Sequence, residues 1–145
     1  MKQVLIKSHN DALTTFMRLL QGKGFSVFDL EVKPMYDNGN HRLIINRDPE
    51  YPCSWYLKFD NDWFNKAGDF VPELKDQRAE SLDLLAYEKL NKEAVDKDFL
   101  LILFAHPNEF LCCSFDKFRY NKKEYMDEKC VRRYLIGESK LRKWD

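Results

Sequence analysis

The chain has 145 residues, one domain's length, enough to bury about two thirds of its unfolded surface without disulfides or metals. Hydrophobic residues at 44%, aromatics at 14% and charged residues at 33% exclude a disordered chain, and five glycines with five prolines exclude collagen-like and low-complexity classes. Basic and acidic residues balance at 24 each, so the total charge does not mark a strongly basic nucleic-acid binder.

Gln3 to Lys7 reads as a short apolar strand or the first turn of a helix, after which Ser8 or Asn10 offers an N-cap. Leu13, Phe16, Met17 and Leu20 recur at helical spacing and predict an amphipathic helix over Asp11 to Gln21, ended by Gly22 and Gly24. Phe25 to Lys33 alternates and predicts a strand that Pro34 stops. Asp37-Asn38-Gly39-Asn40 is the strongest turn signal in the chain and leads into a second strand, His41 to Arg47. After a turn through Asp48-Pro49-Glu50 and Pro52, Cys53 to Phe59 is a third strand, completing an antiparallel meander.

The loop from Asp60 to Lys75 carries Trp63, Phe64 and Phe70, which with Tyr51 and Trp55 suggest core. Asp76 to Asn91 predicts a second helix with Leu82, Leu85 and Ala86 on its apolar side. Phe99 to Ala105 is apolar throughout and reads as a central strand covered on both faces; Pro107-Asn108 turns the chain into Phe110 to Phe115, its hairpin partner. Lys122 to Tyr134 predicts a third helix within a basic C-terminal segment, 116–145, appended to the same single domain, 1–145. The expected class is α/β: a helix, a three-stranded antiparallel meander, a helix, a buried central strand and an edge hairpin strand.

That C-terminal segment holds ten basic and six acidic residues, a local balance of +4, beside Phe115, Phe118, Tyr120, Tyr125, Tyr134 and Trp144. Basic side chains meet phosphates and aromatic rings stack on bases, so DNA or RNA is a candidate partner, with Lys129, Arg132 and Arg133 as contacts on the third helix. No apolar run approaches the ~18 residues of a membrane span and no secretion signal is visible, so a cytoplasmic protein without membrane contact is expected. Cys53, Cys112, Cys113 and Cys130 form no C-x-x-C pair; Cys112 and Cys113, adjacent in a strand, point to opposite faces. His9, His41 and His106 have no metal-finger spacing, and no glycine-rich phosphate loop is present.

The order helix, meander, helix, buried strand resembles the restriction-endonuclease-like fold of the PD-(D/E)xK nucleases, over roughly Asp11 to Phe115 and by element order alone. The resemblance implies a divalent metal, Mg²⁺, held by acids on the second and third strands, and a lysine two residues past the last acid that steadies water or phosphate. Tyr56-Leu57-Lys58 occupies the acid-x-lysine position: Lys58 matches and Tyr56 does not. Asp48 could supply the preceding acid, Glu80 the missing carboxylate from the second helix, and Asp11 the first-helix acid; Gln77 lies one turn before Glu80. Catalysis would then fall to Lys58, Glu80 and Asp48, with Asp48, Glu80 and Asp11 on the metal. Asp29, Glu31 and Lys33 form an alternative site, since Glu31-Val32-Lys33 is a literal acid-x-lysine triplet.

A second resemblance covers about the first 47 residues. If Gln3 to Lys7 is a strand, the opening is similar to an ACT-type regulatory domain, which implies a small ligand at Ser8 to Asp11; a strand at Cys53 to Phe59 departs from that pattern. The leading expectation is a nuclease-like or nuclease-derived domain acting on nucleic acid. A non-enzymatic module that binds a protein partner, of inhibitor or immunity type, or a homo-oligomer, is the alternative that Tyr56 favours.

Overall fold

In the computed structural model, which describes residues 6–26, 28, 30–35, 40–45, 53–59, 79–93, 100–106, 109–126 and 132–144, Ser8 opens the first helix. Its extended backbone and its Oγ, accepting from the Asp11 N–H, satisfy one of the orphan donors of the first turn. The elements run α1 (His9–Gly22), β1 (Leu30–Met35), β2 (Asn40–Ile45), β3 (Cys53–Phe59), β4 (Ala79–Asp83), α2 (Leu84–Glu93), β5 (Leu100–Ala105), β6 (Phe110–Ser114), α3 (Phe115–Asn121), β7 (Lys123–Met126), β8 (Arg132–Gly137), a 3-10 turn (Glu138–Lys140) and β9 (Arg142–Trp144).

Six strands form the main sheet in the order β1-β2-β3-β5-β6-β9. Neighbours are antiparallel except β3 and β5, which run parallel. A parallel pair needs a crossover, and the chain between β3 and β5 carries β4 and α2. A second antiparallel sheet, β4-β8-β7, stands beside it in sequence order 4-8-7.

Strand alternation sorts the main sheet's residues onto two faces. On one, Leu43, Trp55, Leu57, Leu103 and Phe110 pack with Ala12, Phe16 and Leu20 of α1. On the other, Tyr56, Leu100, Ile102, Phe104 and Cys113 pack with Ala86, Tyr87 and Leu90 of α2, Phe115 and Phe118 of α3, and Leu82 and Ile136 of the small sheet. Layers on both sides explain the unbroken apolar run of β5.

Several expectations are corrected. Lys122 to Tyr134 is not a helix: its described parts are β7 and β8, and β9 beyond them joins the main sheet against β6. The alternation of Arg133, Leu135 and Gly137 against Tyr134 and Ile136, with a partner strand on each side, decides the matter over helical spacing. The helix expected over Asp76 to Asn91 begins at Leu84, because Ala79 to Asp83 pairs residue by residue with β8. Gln77 lies outside the described residues. Pro34 does not stop β1 but lies within it, opposite His41, at an edge strand where a missing N–H is tolerated. Of the Gln3 to Lys7 strand, residues 3–5 lie outside the described residues, and Ile6 and Lys7 are not in a strand.

Candidate functional site

The face of the main sheet turned away from α1 carries an unusual polar corner. By alternation and register it holds Glu31 and Lys33 on β1, Asn40 and Arg42 on β2, and Tyr56 and Lys58 on β3. Lys33 stands directly across from Arg42, and Arg42 directly across from Tyr56. Lys58, two residues on from Tyr56, is the diagonal neighbour of Arg42 and stands across from Phe104.

Three of these are buried polar residues: Asn40, Arg42 and Lys58 are 5%, 6% and 8% exposed. Burial of polar groups demands partners. Asn40 Nδ2 donates to the Tyr56 hydroxyl at 3.0 Å, and Asn40 Oδ1 accepts from the Phe59 N–H at 3.0 Å, so one amide ties the start of β2 to the end of β3. Arg42 Nη1 donates to the Trp55 carbonyl at 3.3 Å. The Lys58 ammonium lies 5.9 Å from the Phe104 ring centroid, within cation–π range. At the exposed rim, Lys33 Nζ and Glu31 Oε1 are 3.4 Å apart.

The sequence-derived site residues thus fall into three groups. Lys58, Glu31 and Lys33, expected in two competing sites, share one face. Lys58 sits in β3, between β2 and β5. Asp11 does not join them: it is exposed in the first turn of α1, on the other side of the sheet, and its Oδ2 accepts from the Lys7 N–H at 3.2 Å. Glu80 is not on a helix but in β4, opposite Ile136. Arg132 and Arg133 are successive residues of β8, so they occupy positions of opposite parity rather than one helix face. Asp29, Asp48 and Lys129 lie outside the described residues. Among the described residues, no three His, Cys, Asp or Glu side chains are grouped as a metal ion requires.

Arg42 and Asn40 went unnoticed in the sequence. It is the β2–β3 register that puts Arg42 beside Tyr56 and the Asn40 amide within reach of its hydroxyl.

Behind this corner, on the α1 face, the His9 ring packs edge-on to Phe59 at 5.3 Å, and His41 is the diagonal strand neighbour of Phe59. Burial lowers the His41 pKa below its usual value and the His9 charge lowers it further. A histidine whose folded pKa is depressed binds more protons when unfolded, so it contributes stability above the unfolded value of 6.5 that is lost as pH falls through the folded pKa. Urea unfolding is therefore expected to show stability falling below pH ~6.5, with a shallower fall in His41→Gln; an unchanged pH profile in that variant contradicts the assignment.

Cys112 and Cys113 fall into opposite cores, as alternation requires. Burial pushes the Cys113 thiol up to about 12, the neighbouring Cys112 adds to the rise and Lys117 opposes it, so it is a packing residue and not a nucleophile. No protein-family model matches the chain, and no curated protein and no solved structure matches it either.

Proposed function

We propose that the chain is a nuclease-derived domain that binds nucleic acid through its phosphate backbone. The observation that carries this reading is the juxtaposition of Lys33, Arg42 and Lys58 on one sheet face, with two of the three cations directly opposed across β1 and β2. Like charges placed opposite each other on neighbouring strands destabilise a sheet, and local rules broken in this way concentrate at functional sites. Lys33 reaches solvent and contacts the phosphate. Arg42 and Lys58 lie buried on the same face beneath it and add to its basic character. The succession α1, β1 to β3, α2, β5 supports the nuclease resemblance by order of elements, with β4 inserted before α2.

Binding rather than hydrolysis is the reading that the donor set favours. Magnesium is held by carboxylate oxygens, whereas the positions flanking Lys58 on this face carry a neutral amide and a neutral phenol that satisfy each other. The described residues do not fit a resident Mg²⁺, and no step is derived through one.

Gel retardation at 50 mM salt and micromolar protein, with Mg²⁺ or EDTA, tests both halves. The expected result is a retarded band in both conditions, weakened in Lys58→Met, with no Mg²⁺-dependent strand cleavage. Absence of retardation removes the nucleic-acid reading and leaves a protein partner as the better one. Mg²⁺- or Mn²⁺-dependent cleavage that disappears in Lys58→Ala with the fold intact would restore the hydrolase reading.

A further inference from the structure

Backbone contacts alone do not distinguish a single strand from a duplex. The basic C-terminal stretch adds a feature that does. Its aromatic residues are not equivalent in the fold. Phe115 and Phe118 are wholly buried, and Tyr87 stacks on the former at 5.4 Å. Trp144 packs on Phe16 at 4.9 Å, and Tyr134 on Tyr87 at 4.7 Å with the Lys122 ammonium over its ring. Tyr125 has a side chain outside those described. Tyr120 is the exception, 77% exposed near the end of α3.

Its surroundings are built rather than loose. The Arg119 guanidinium lies 5.4 Å from the Tyr120 ring centroid and is fixed by Asp116, whose Oδ1 accepts from Nη2 at 2.6 Å. Lys117, one helical turn before Tyr120, and Lys123, three residues after it at the start of β7, are both exposed. The Lys122 ammonium donates to the Arg119 carbonyl at 3.1 Å and sits over the Tyr87 ring at 5.1 Å, which pins the end of α3 to the core. Glu124 is the acidic residue next along β7. An aromatic ring held in water beside a guanidinium, with one exposed lysine a helical turn before it and another three residues after it at the start of β7, matches the chemistry of a base flanked by two phosphates.

We propose that Tyr120 is a stacking platform for one base of single-stranded nucleic acid, with Lys117 and Lys123 taking the phosphates on either side. This rests on the nucleic-acid reading above and deepens it to a preference for single strands. Bases in a duplex stack on each other and have no face to offer, whereas every unpaired base has one, so the platform selects strandedness and tolerates sequence.

The test is fluorescence anisotropy at 50 mM salt with a labelled oligo-dT of about 20 nucleotides and a duplex of the same length, using the full chain, Tyr120→Ala and Tyr120→Phe. Tyr120→Ala is expected to weaken oligo-dT binding about 5- to 100-fold while changing duplex binding less than about 2-fold. Tyr120→Phe keeps the ring and is expected to stay within about 3-fold of the parent. Tyr120 is exposed, so neither variant disturbs the core, and circular dichroism checks this. Tyr120→Ala binding oligo-dT like the parent, or losing both ligands equally, overturns the platform while leaving the backbone grip standing. A parent that binds neither ligand overturns both.

Discussion

Phe16→Ala is expected to destabilise the chain by about 3–5 kcal/mol, a large share of the ~5–15 kcal/mol available to a domain of this size. Phe16 is fully buried on α1, and its ring meets Trp55 at 5.4 Å, Phe110 at 5.9 Å and Trp144 at 4.9 Å. Those partners come from β3, β6 and β9, so a single side chain ties the helix to both halves of the main sheet. Large rigid neighbours cannot collapse into the space a benzyl group leaves, so the transfer loss and the cavity add. Phe16→Leu, which refills much of the volume, should cost roughly 1–2 kcal/mol. Urea titration measures both. A loss under ~1 kcal/mol in the alanine variant would mean that α1 does not dock on this face.

The second large effect is expected at Asn40→Ala, about 2–5 kcal/mol. The substitution removes the acceptor of the buried Phe59 N–H and the amide that donates to the Tyr56 hydroxyl, each bond costing roughly 1–3 kcal/mol when left unmade. Tyr56→Phe removes the acceptor of one of these two bonds and keeps the Phe59 N–H bond, so it should cost less, about 1–3 kcal/mol. In Asn40→Ala/Tyr56→Phe the losses should not add, because both substitutions break the same Asn40–Tyr56 bond. Strict additivity in chemical denaturation would show that the two side chains act independently.

Much of the fold was legible where one periodicity ruled. Leu13, Phe16, Met17 and Leu20 marked α1, and the observed helix extends the expected one by two residues at its start and one at its end. Cys53 to Phe59 matched β3 end for end, and the featureless run at Phe99 to Ala105 became a strand between two layers. What failed was decided by partners distant in sequence. Ala79 to Asp83 carries no strong strand signal of its own; β8, some fifty residues later, supplies the ladder that makes it one. The C-terminal segment was read as a helix because its charges fall at helical spacing as easily as at strand spacing.

The site divides in the same way. Lys58 and Lys33 were found because they fit an acid-x-lysine template, yet the template put them in rival sites, and only the β1-β2-β3 register brings them to one face. Arg42 fits no template. It is a strand arginine between His41 and Leu43, and its meaning lies in standing opposite Lys33.

The central claim is that this face meets phosphate with fixed positive charge, and the salt dependence of binding tests it most directly. Affinity for oligo-dT should be measured from about 50 to 200 mM salt for the parent and for Lys33→Gln/Lys58→Met, with circular dichroism confirming that both are folded. Each phosphate neutralised on a single strand contributes about −0.7 to the slope of log affinity against log salt, so the double variant, which loses the one direct contact at Lys33, should be shallower by about 0.7 units and weaker at every salt concentration. A parent slope near zero, or a double variant as steep as the parent, would contradict the claim.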